Sequence, residues 1–184
     1  LNDAMQSSSD PRPRAIIVDI DETALSNSRY HQMWATRNLT HQEARWHRYV
    51  QQVNATPMPG AVAFFDRAQK LGVAVFYITN RSEHDRQATI ANLKKLGFPN
   101  SDRAHVLTRT GQDLDKHQRW ADVMNQYHVI LFMGDNLEDF NDGFINQSAA
   151  KRRQLVDQWS KRWGQQYILL PNPLYGHWGQ PISE

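Results

Sequence analysis

The chain has 184 residues, 40% of them hydrophobic and 22% charged, a composition typical of a globular domain that excludes a disordered or collagen-like protein. At about 150 residues per domain, this length predicts one globular unit with room for a small cap. Lysine and arginine number 21 against 19 acids, so the net charge of +2 gives no electrostatic reason to expect nucleic-acid binding. Because cysteine is absent, disulfides, thiol nucleophiles and cysteine-based zinc sites are excluded.

The apolar runs of the sequence are too short to cross a membrane. Even a run such as residues 73–78 is far below the ~20 residues that a membrane-spanning helix needs. The chain starts at Leu1 without the charged and apolar regions of a signal peptide. We therefore expect the natural N-terminus to precede Leu1 and to carry any export signal or lipid anchor.

Short β-branched runs alternate with helical patterns along the chain. The runs, which are typical of strands buried on both faces, are residues 15–18, 73–78, 129–133 and 167–170. The helical patterns are residues 40–53, 61–71, 82–97, 115–127 and 148–163. This alternation predicts an α/β fold with a doubly wound, mostly parallel sheet covered on both faces. Residues 31–56 interrupt the alternation and predict a small helical cap.

Acidic residues follow the ends of two predicted strands. Asp19 and Asp21 lie on the same side of the chain, and like charges so close raise each other's pKa unless a cation lies between them. The pair indicates a bound metal, a shared proton or both, although alone it is also compatible with an acidic turn. Asp135 and Asp139 follow the third run and, alone, are compatible with a solvated loop. Because parallel strands end at one edge of a sheet, both acidic ends together predict an oxygen-only site suited to Mg²⁺.

Polar residues also follow the second predicted strand. Thr79, Asn80 and Arg81 precede Ser82, and hydroxyl, amide and backbone N–H groups at a helix start predict a phosphate cradle. The alternative is an ordinary helix cap, with Ser82 as the N-cap residue. Lys116 would by itself be a surface lysine, but clustered carboxylates and phosphate need a nearby cation.

The order aspartate, threonine, lysine, aspartate resembles the four motifs of the haloacid dehalogenase-like phosphatases. Residues 17–30 (IVDIDETALSNSRY) resemble more narrowly the leading signature of the bacterial class C acid phosphatases, the outer-membrane lipoprotein phosphatase group. Ala24 departs from that signature, in which a larger apolar residue is usual. Residues 134–140 (GDNLEDF) resemble the second signature of the group, and residues 169–178 (LLPNPLYGHW) resemble its closing segment.

This resemblance implies one haloacid dehalogenase-like domain over residues 1–184, with a Rossmann-type core and a helical cap at about 31–56. It implies that Asp19 is the nucleophile, which forms an aspartyl-phosphate. Asp21 would protonate the leaving oxygen and then activate water, which predicts an acidic pH optimum because Asp21 must start protonated.

The resemblance also implies a Mg²⁺ ion bound by Asp19, the backbone carbonyl of Asp21 and Asp135. Thr79 and Asn80, with Arg81 beside them, would hold the phosphoryl oxygens. Lys116 would balance charge near Asp19, and Asp139 would orient Lys116 or a metal-bound water.

Aromatic residues near both ends of the matched region are implied to sandwich the base of a nucleoside monophosphate, with about 1–3 kcal/mol of stacking per base. The candidates, which could instead be core or cap packing, are Tyr30, Trp34, Tyr175 and Trp178. The remaining tryptophans lie in helical patterns and are predicted to be core residues: Trp46, Trp120, Trp159 and Trp163. Asn172 is expected in the pocket wall.

Two rival functions remain open. Another phosphatase or a phosphomutase with a non-nucleotide substrate would share the four motifs, and a substrate panel would separate it. A non-catalytic binding or storage protein is disfavoured because the candidate catalytic residues are all present. By resemblance we also expect a possible homodimer, and a location in the bacterial periplasm, in the outer membrane as a lipoprotein, or outside the cell.

Overall fold

The computed structural model describes residues 10–37, 42–111 and 116–175. Its strands are β1 (Arg14–Val18), β2 (Leu25–Ser26), β3 (Thr56–Pro57), β4 (Ala74–Ser82), β5 (Val106–Arg109), β6 (His128–Gly134) and β7 (Tyr167–Leu169). Its α-helices are α1 (Ser28–Arg37), α2 (Glu43–Val50), α3 (Ala61–Lys70), α4 (Arg86–Lys95), α5 (His117–Gln126) and α6 (Ala149–Gln158). Short 3₁₀ turns occupy Glu83–Asp85, Leu137–Asp139 and Asp142–Phe144.

The main sheet has the strand order β5-β4-β1-β6-β7, and all of its pairings are parallel. Strand β1 lies at the centre, and its side chains alternate between two hydrophobic clusters. Ile16 and Val18 pack in the larger cluster, whereas Ala15 and Ile17 pack in the smaller one with Trp120. Because both faces are covered, the doubly wound α/β fold predicted from the sequence is confirmed.

The residues between β1 and α3 combine helices with a short antiparallel ribbon. Helices α1 and α2 pack through aromatic rings, with Tyr30 centred 4.9 Å from Trp46 and 5.0 Å from Tyr49. Strands β2 and β3 pair antiparallel, which the sequence patterns did not predict. That this region caps the site as a distinct unit stays a prediction.

The prediction that Ser82 caps a helix is wrong. Strand β4 continues through Ser82, which pairs in register with Arg109 of β5. A 3₁₀ turn follows, and α4 begins only at Arg86. The Ser82 hydroxyl is buried and makes no hydrogen bond within the described residues. Pairing with β5, a strand too short and polar to be recognised, therefore extends β4 beyond its apolar run.

The helix predicted over 148–163 is shorter than expected and ends at Gln158. Trp159 leaves the helix and packs edge-on against Phe144, with ring centroids 5.5 Å apart, and against Tyr167 at 5.9 Å. Gly164 then takes a left-handed φ of 77°, which turns the chain into β7. Aromatic packing thus overrides the helical pattern. No helix among the described residues has the length and apolarity to span a membrane.

Candidate active site

Three neighbouring strands deliver polar residues to one edge of the sheet. Asp19 follows β1 and is held by a 2.9 Å hydrogen bond from its backbone N–H to the carbonyl of Met133 in β6. Thr79 lies in β4, and Asp135 follows the last residue of β6. Because β4, β1 and β6 are adjacent and parallel, their carboxyl ends form one site.

A carboxylate cluster consists of Asp19, Asp135 and Asp139, which each offer an oxygen within 4.8 Å of the others. The ammonium group of Lys116 is buried beside it and donates hydrogen bonds to Asp19 and, at 2.7 Å, to Asp139. The other oxygen of Asp139 accepts from the backbone N–H of Asn136 at 2.9 Å. Both carboxylate oxygens of Asp139 therefore accept hydrogen bonds, one from Lys116 and one from the backbone of its own turn.

The turn that carries Asp139 requires glycine at position 134. A Cβ atom at Gly134 would lie 2.4 Å from the Cβ of Asp139, a distance that real structures do not tolerate. Asn136 and Asp139 also form a reciprocal capping box across this turn. Gly134 thus lets the second acidic loop fold tightly against the end of β6.

The cluster carries more negative charge than its single lysine balances. Burial raises the pKa of Asp19 well above its usual value, with Lys116 opposing and the neighbouring carboxylates adding to the increase. Burial, reinforced by Asp139, raises the pKa of Asp135 to about 7. Burial alone would lower the pKa of Lys116, but Asp139 and Asp19 raise it, so the lysine stays protonated. An oxygen-only site short of positive charge fits Mg²⁺, and Asp19 and Asp135 are the carboxylates that could hold it.

Asp21 points to a different set of partners. Its carboxylate accepts from Arg81, whose Nη2 lies 2.7 Å and Nε 3.0 Å from Oδ1, and from the amide of Asn27 at 2.8 Å. Burial would lower the pKa of Arg81, but the charge and hydrogen bonds of Asp21 raise it. Arg81 is buried under the ring of Trp46, 5.4 Å from its centroid. Its contacts are thus to Asp21 and the core, and its binding of substrate stays a prediction.

The end of β4 is fixed by an arginine that the sequence patterns did not single out. Thr79 is fully buried, and its hydroxyl accepts from the backbone N–H of Arg81 at 3.1 Å. The side-chain oxygen of Asn80 accepts from Arg119 of α5 at 2.9 Å. Arg119 also donates to the backbone carbonyl of Thr79 at 2.5 Å. An isolated arginine in a polar helix gives no signal for this contact.

The segment after β7 closes over the acidic loops. The amide of Asn172 donates to Asp135 at 2.6 Å, and its oxygen accepts from the backbone N–H of Leu174 at 2.9 Å. The hydroxyl of Tyr175 donates to Glu22 at 2.5 Å. Glu22 is buried at a left-handed φ of 59°, an uncommon conformation that these contacts hold in place. Asn172 therefore contacts a candidate metal ligand, and its place in the pocket wall stays a prediction.

The four aromatic candidates have different surroundings. Tyr30 is 1% exposed and packed into the core, which agrees with the alternative of core packing and leaves no ring face for a base in this conformation. Tyr175 is 41% exposed and stacks on His31, with centroids 5.0 Å apart. The side chain of Trp34 and all of Trp178 lie outside the described residues. The ring that stacks on Tyr175 is therefore that of His31, the neighbour of the candidate Tyr30.

Comparisons with known proteins place this geometry in a family context. The model of the HAD superfamily, subfamily IIIB (acid phosphatase) matches residues 2–178. The tungstate-bound crystal structure of a class C acid phosphatase from Bacillus anthracis is 31% identical, with a TM-score of 0.90 over 96% of this chain and 74% of that chain. A second structure of that enzyme is 32% identical, with a TM-score of 0.87 over 92% of this chain and 71% of that one.

A curated plant protein is a more distant relative. Acid phosphatase 1 of Solanum lycopersicum is 25% identical over 166 residues, which are 86% of this chain and 57% of that protein. The chain therefore spans little more than half the length of this relative.

Proposed function

The chain belongs to the HAD superfamily, subfamily IIIB (acid phosphatase), and from this premise we propose that it hydrolyses phosphomonoesters through an aspartyl-phosphate on Asp19. One observation carries the proposal: Asp19 lies beside Lys116 and Asp135. This cluster lies at the edge of the sheet toward which the last residues of β4, including Thr79 and Asn80, also run. The tungstate bound by the Bacillus anthracis relative is a tetrahedral oxyanion, as phosphate is. The likeness supports an oxyanion site in this chain.

In the proposed first step, a carboxylate oxygen of Asp19 attacks phosphorus in line as the bond from phosphorus to the leaving oxygen breaks. Asp21 transfers a proton to that oxygen, so the alcohol leaves neutral. In the second step, Asp21 takes a proton from water as the water attacks phosphorus, which releases phosphate and restores Asp19. Lys116 keeps a positive charge beside the nucleophile throughout.

A Mg²⁺ ion held by Asp19, the backbone carbonyl of Asp21 and Asp135 would neutralise the crowded carboxylates and the phosphoryl charge. The chemistry of the cluster supports this ion, because all of its ligand atoms are carboxylate oxygens. Three carboxylates also carry more negative charge than Lys116 can balance. Asp135 is kept in place by hydrogen bonds from Thr23 at 3.2 Å and Asn172 at 2.6 Å. These residues act by orienting the carboxylate that would meet the metal.

Asp21 must release Arg81 to act as an acid. A carboxylate paired with a guanidinium cannot give up a proton, so the proposal requires Asp21 to become protonated and to turn toward the leaving oxygen. Such a requirement favours activity at acidic pH.

For the substrate, we propose nucleoside monophosphates. Tyr175 and His31 form an aromatic surface at 5.0 Å spacing, and Tyr175 is tied to the loop after Asp21 through Glu22. An exposed ring beside the phosphate-handling loop is suited to stack on a planar base.

Phosphate release from a nucleoside 5′-monophosphate near pH 5.5, with and without Mg²⁺, tests the function. Asp19→Asn should lose about four orders of magnitude in kcat, since a nucleophile is removed. Asp66→Asn is the matched control, because among the described residues Asp66 forms its ion pair with Lys70 on the surface of α3, away from the cluster. A sugar phosphate in parallel tests the substrate class. Undiminished hydrolysis by Asp19→Asn would contradict the mechanism.

A further inference from the structure

One helix start delivers two cationic side chains to the site. Lys116 directly precedes α5, and Arg119 lies three residues later, so both project from the same side of the helix. Lys116 reaches Asp19 after β1. Arg119 reaches the end of the neighbouring strand β4, where it contacts Thr79 and Asn80. The first turn of α5 thus contacts both the loop that carries the proposed nucleophile and the part of β4 proposed to bind phosphate.

The contact between Arg119 and Asn80 fixes which way the amide faces. A guanidinium group has only donors, so the atom of Asn80 that lies 2.9 Å from Nη2 is the oxygen. The NH₂ group of Asn80 is then directed away from Arg119. Phosphoryl oxygens only accept hydrogen bonds, so an asparagine that binds them must present its NH₂ group. With its oxygen held by Arg119, the amide keeps its NH₂ group as the part that could donate to an oxyanion.

The backbone at this point is held by the same arginine. Nη1 of Arg119 donates to the carbonyl of Thr79 at 2.5 Å and, more weakly, to that of Leu107 in β5 at 3.4 Å. The planar guanidinium therefore spans a side chain and two strands at once. A lysine, with one point charge on a flexible stem, cannot hold these acceptors in a fixed relation.

We propose that Arg119 is a positioning residue for oxyanion binding, which acts by orienting the Asn80 amide. The inference rests on the proposed phosphatase function and goes beyond it, since it assigns a role to a residue outside the four motifs.

A purely structural role, in which Arg119 only fastens α5 to β4, is the competing explanation. Arg109 offers a matched control, because its Nε donates to the backbone carbonyl of Asn80 at 3.2 Å, whereas Arg119 donates to the side-chain oxygen. Removing either arginine deletes a contact to the same residue. Loss of Arg119 removes the hydrogen bond to the Asn80 side-chain oxygen, whereas loss of Arg109 removes one to its backbone carbonyl.

The test measures tungstate affinity by calorimetry with Mg²⁺ present, together with kcat, KM and unfolding, for Arg119→Met, Asn80→Ala and the double variant. We expect each single variant to weaken tungstate binding and raise KM by roughly tenfold to hundredfold, the effect of losing a hydrogen bond to a charged group. The double variant should bind no worse than Asn80→Ala, because Arg119 acts through Asn80. Arg109→Met should keep tungstate affinity within about twofold of the wild type.

Two further variants guard against a simple folding defect. Arg119→Lys keeps the charge and should restore tungstate affinity only in part. Asn80→Asp keeps an acceptor for Arg119, and should therefore fold, but turns a carboxylate oxygen toward the anion and should bind tungstate more weakly than Asn80→Ala. Losses that add in the double variant, or tungstate binding equal in Asn80→Asp and wild type, would overturn the proposal. Wild-type protein that neither binds tungstate nor releases phosphate would overturn the proposed function as well.

Discussion

Asp19 and Asp21 lie two residues apart in one loop, yet they occupy opposite electrostatic environments. Asp19 shares a single lysine with Asp139 and lies near Asp135, so its region has an excess of buried negative charge. Asp21 has an arginine of its own, Arg81, and an amide partner. The first region places three carboxylates around one lysine, whereas in the second Asp21 is paired within the fold.

This difference teaches how one short motif can support two roles. Although both follow β1, Asp19 contacts Lys116, whereas Asp21 contacts Arg81 in β4 and Asn27 just before α1. Each carboxylate then takes its properties from the elements it meets rather than from the motif.

The largest expected effect is a difference in the free energy of unfolding between variants of Asp21 and Asp19. Asp21→Asn removes the carboxylate paired with the buried Arg81 and should lower the free energy of unfolding by about 3–5 kcal/mol. Asp19→Asn, in the metal-free protein, removes one of several like charges while Lys116 keeps Asp139, so stability should be unchanged or higher. Urea unfolding with chelator present measures both. Equal losses for the two variants would break the comparison.

Metal addition should stabilise the cluster. At Mg²⁺ one hundred times above Kd, the free energy of unfolding should rise by about 2.7 kcal/mol, and excess chelator should reverse the change. Asp135→Asn should abolish this response, whereas Asp66→Asn on the surface of α3 should retain it. Thermal unfolding followed by circular dichroism is the measurement. A full Mg²⁺ response in Asp135→Asn would show that the ion binds elsewhere.

A smaller effect is expected at Asn172, which orients Asp135 from the closing segment. Asn172→Ala should weaken Mg²⁺ binding by about tenfold to hundredfold, the usual effect of losing a hydrogen bond to a metal ligand. Calorimetric titration of the metal tests this. Asn141→Ala is the control, since within the described part of the chain the Asn141 side chain caps a neighbouring 3₁₀ turn at Gly143. Identical affinities in Asn172→Ala and wild type would contradict the assignment.

The ion pair between Asp102 and His105 on the surface gives a reference value for the stability effects expected in the two buried regions. Burial would raise the pKa of Asp102, but the hydrogen bond and charge of His105 lower it. A carboxyl pKa lowered on folding stabilises the protein above its unfolded value, and the contribution is lost as pH falls through the folded value. Because Asp102 is half exposed, Asp102→Asn should cost less than about 0.5 kcal/mol at pH 6, and nothing at pH 2. Urea unfolding at both pH values checks this, and a loss as large as that of Asp21→Asn would contradict it.

Much of the sheet could be predicted because its strands are buried on both faces. Continuous apolar runs mark β1 and β6 clearly, and the rule that parallel strands end at one edge places Asp19 and Asp135 together. Strand β5 was missed because it is short and alternates buried and half-buried residues. The end of β4 was missed for the same reason, since pairing with β5 extends it.

The contacts that refine the site could not be predicted, because they join residues far apart in sequence. Tyr30 is a core residue since Trp46 and Tyr49 arrive from another helix. Arg119 looks like an ordinary surface residue until the fold brings it to Asn80, and the expectation that Asn172 lies in the pocket wall did not include its contact with Asp135. Local patterns fix the elements, but these partnerships depend on tertiary packing.

The hydrogen bond from Tyr175 to Glu22 spans 153 positions of the chain, which bears on the order of folding. A chain that ended after β7 would still hold every strand of the main sheet, but it would lack both this bond and the support of Asp135 by Asn172. Contacts of such long sequence separation form late because loop closure is entropically costly. The main sheet can therefore form before the segment after β7 adds its contacts to Asp135 and Glu22.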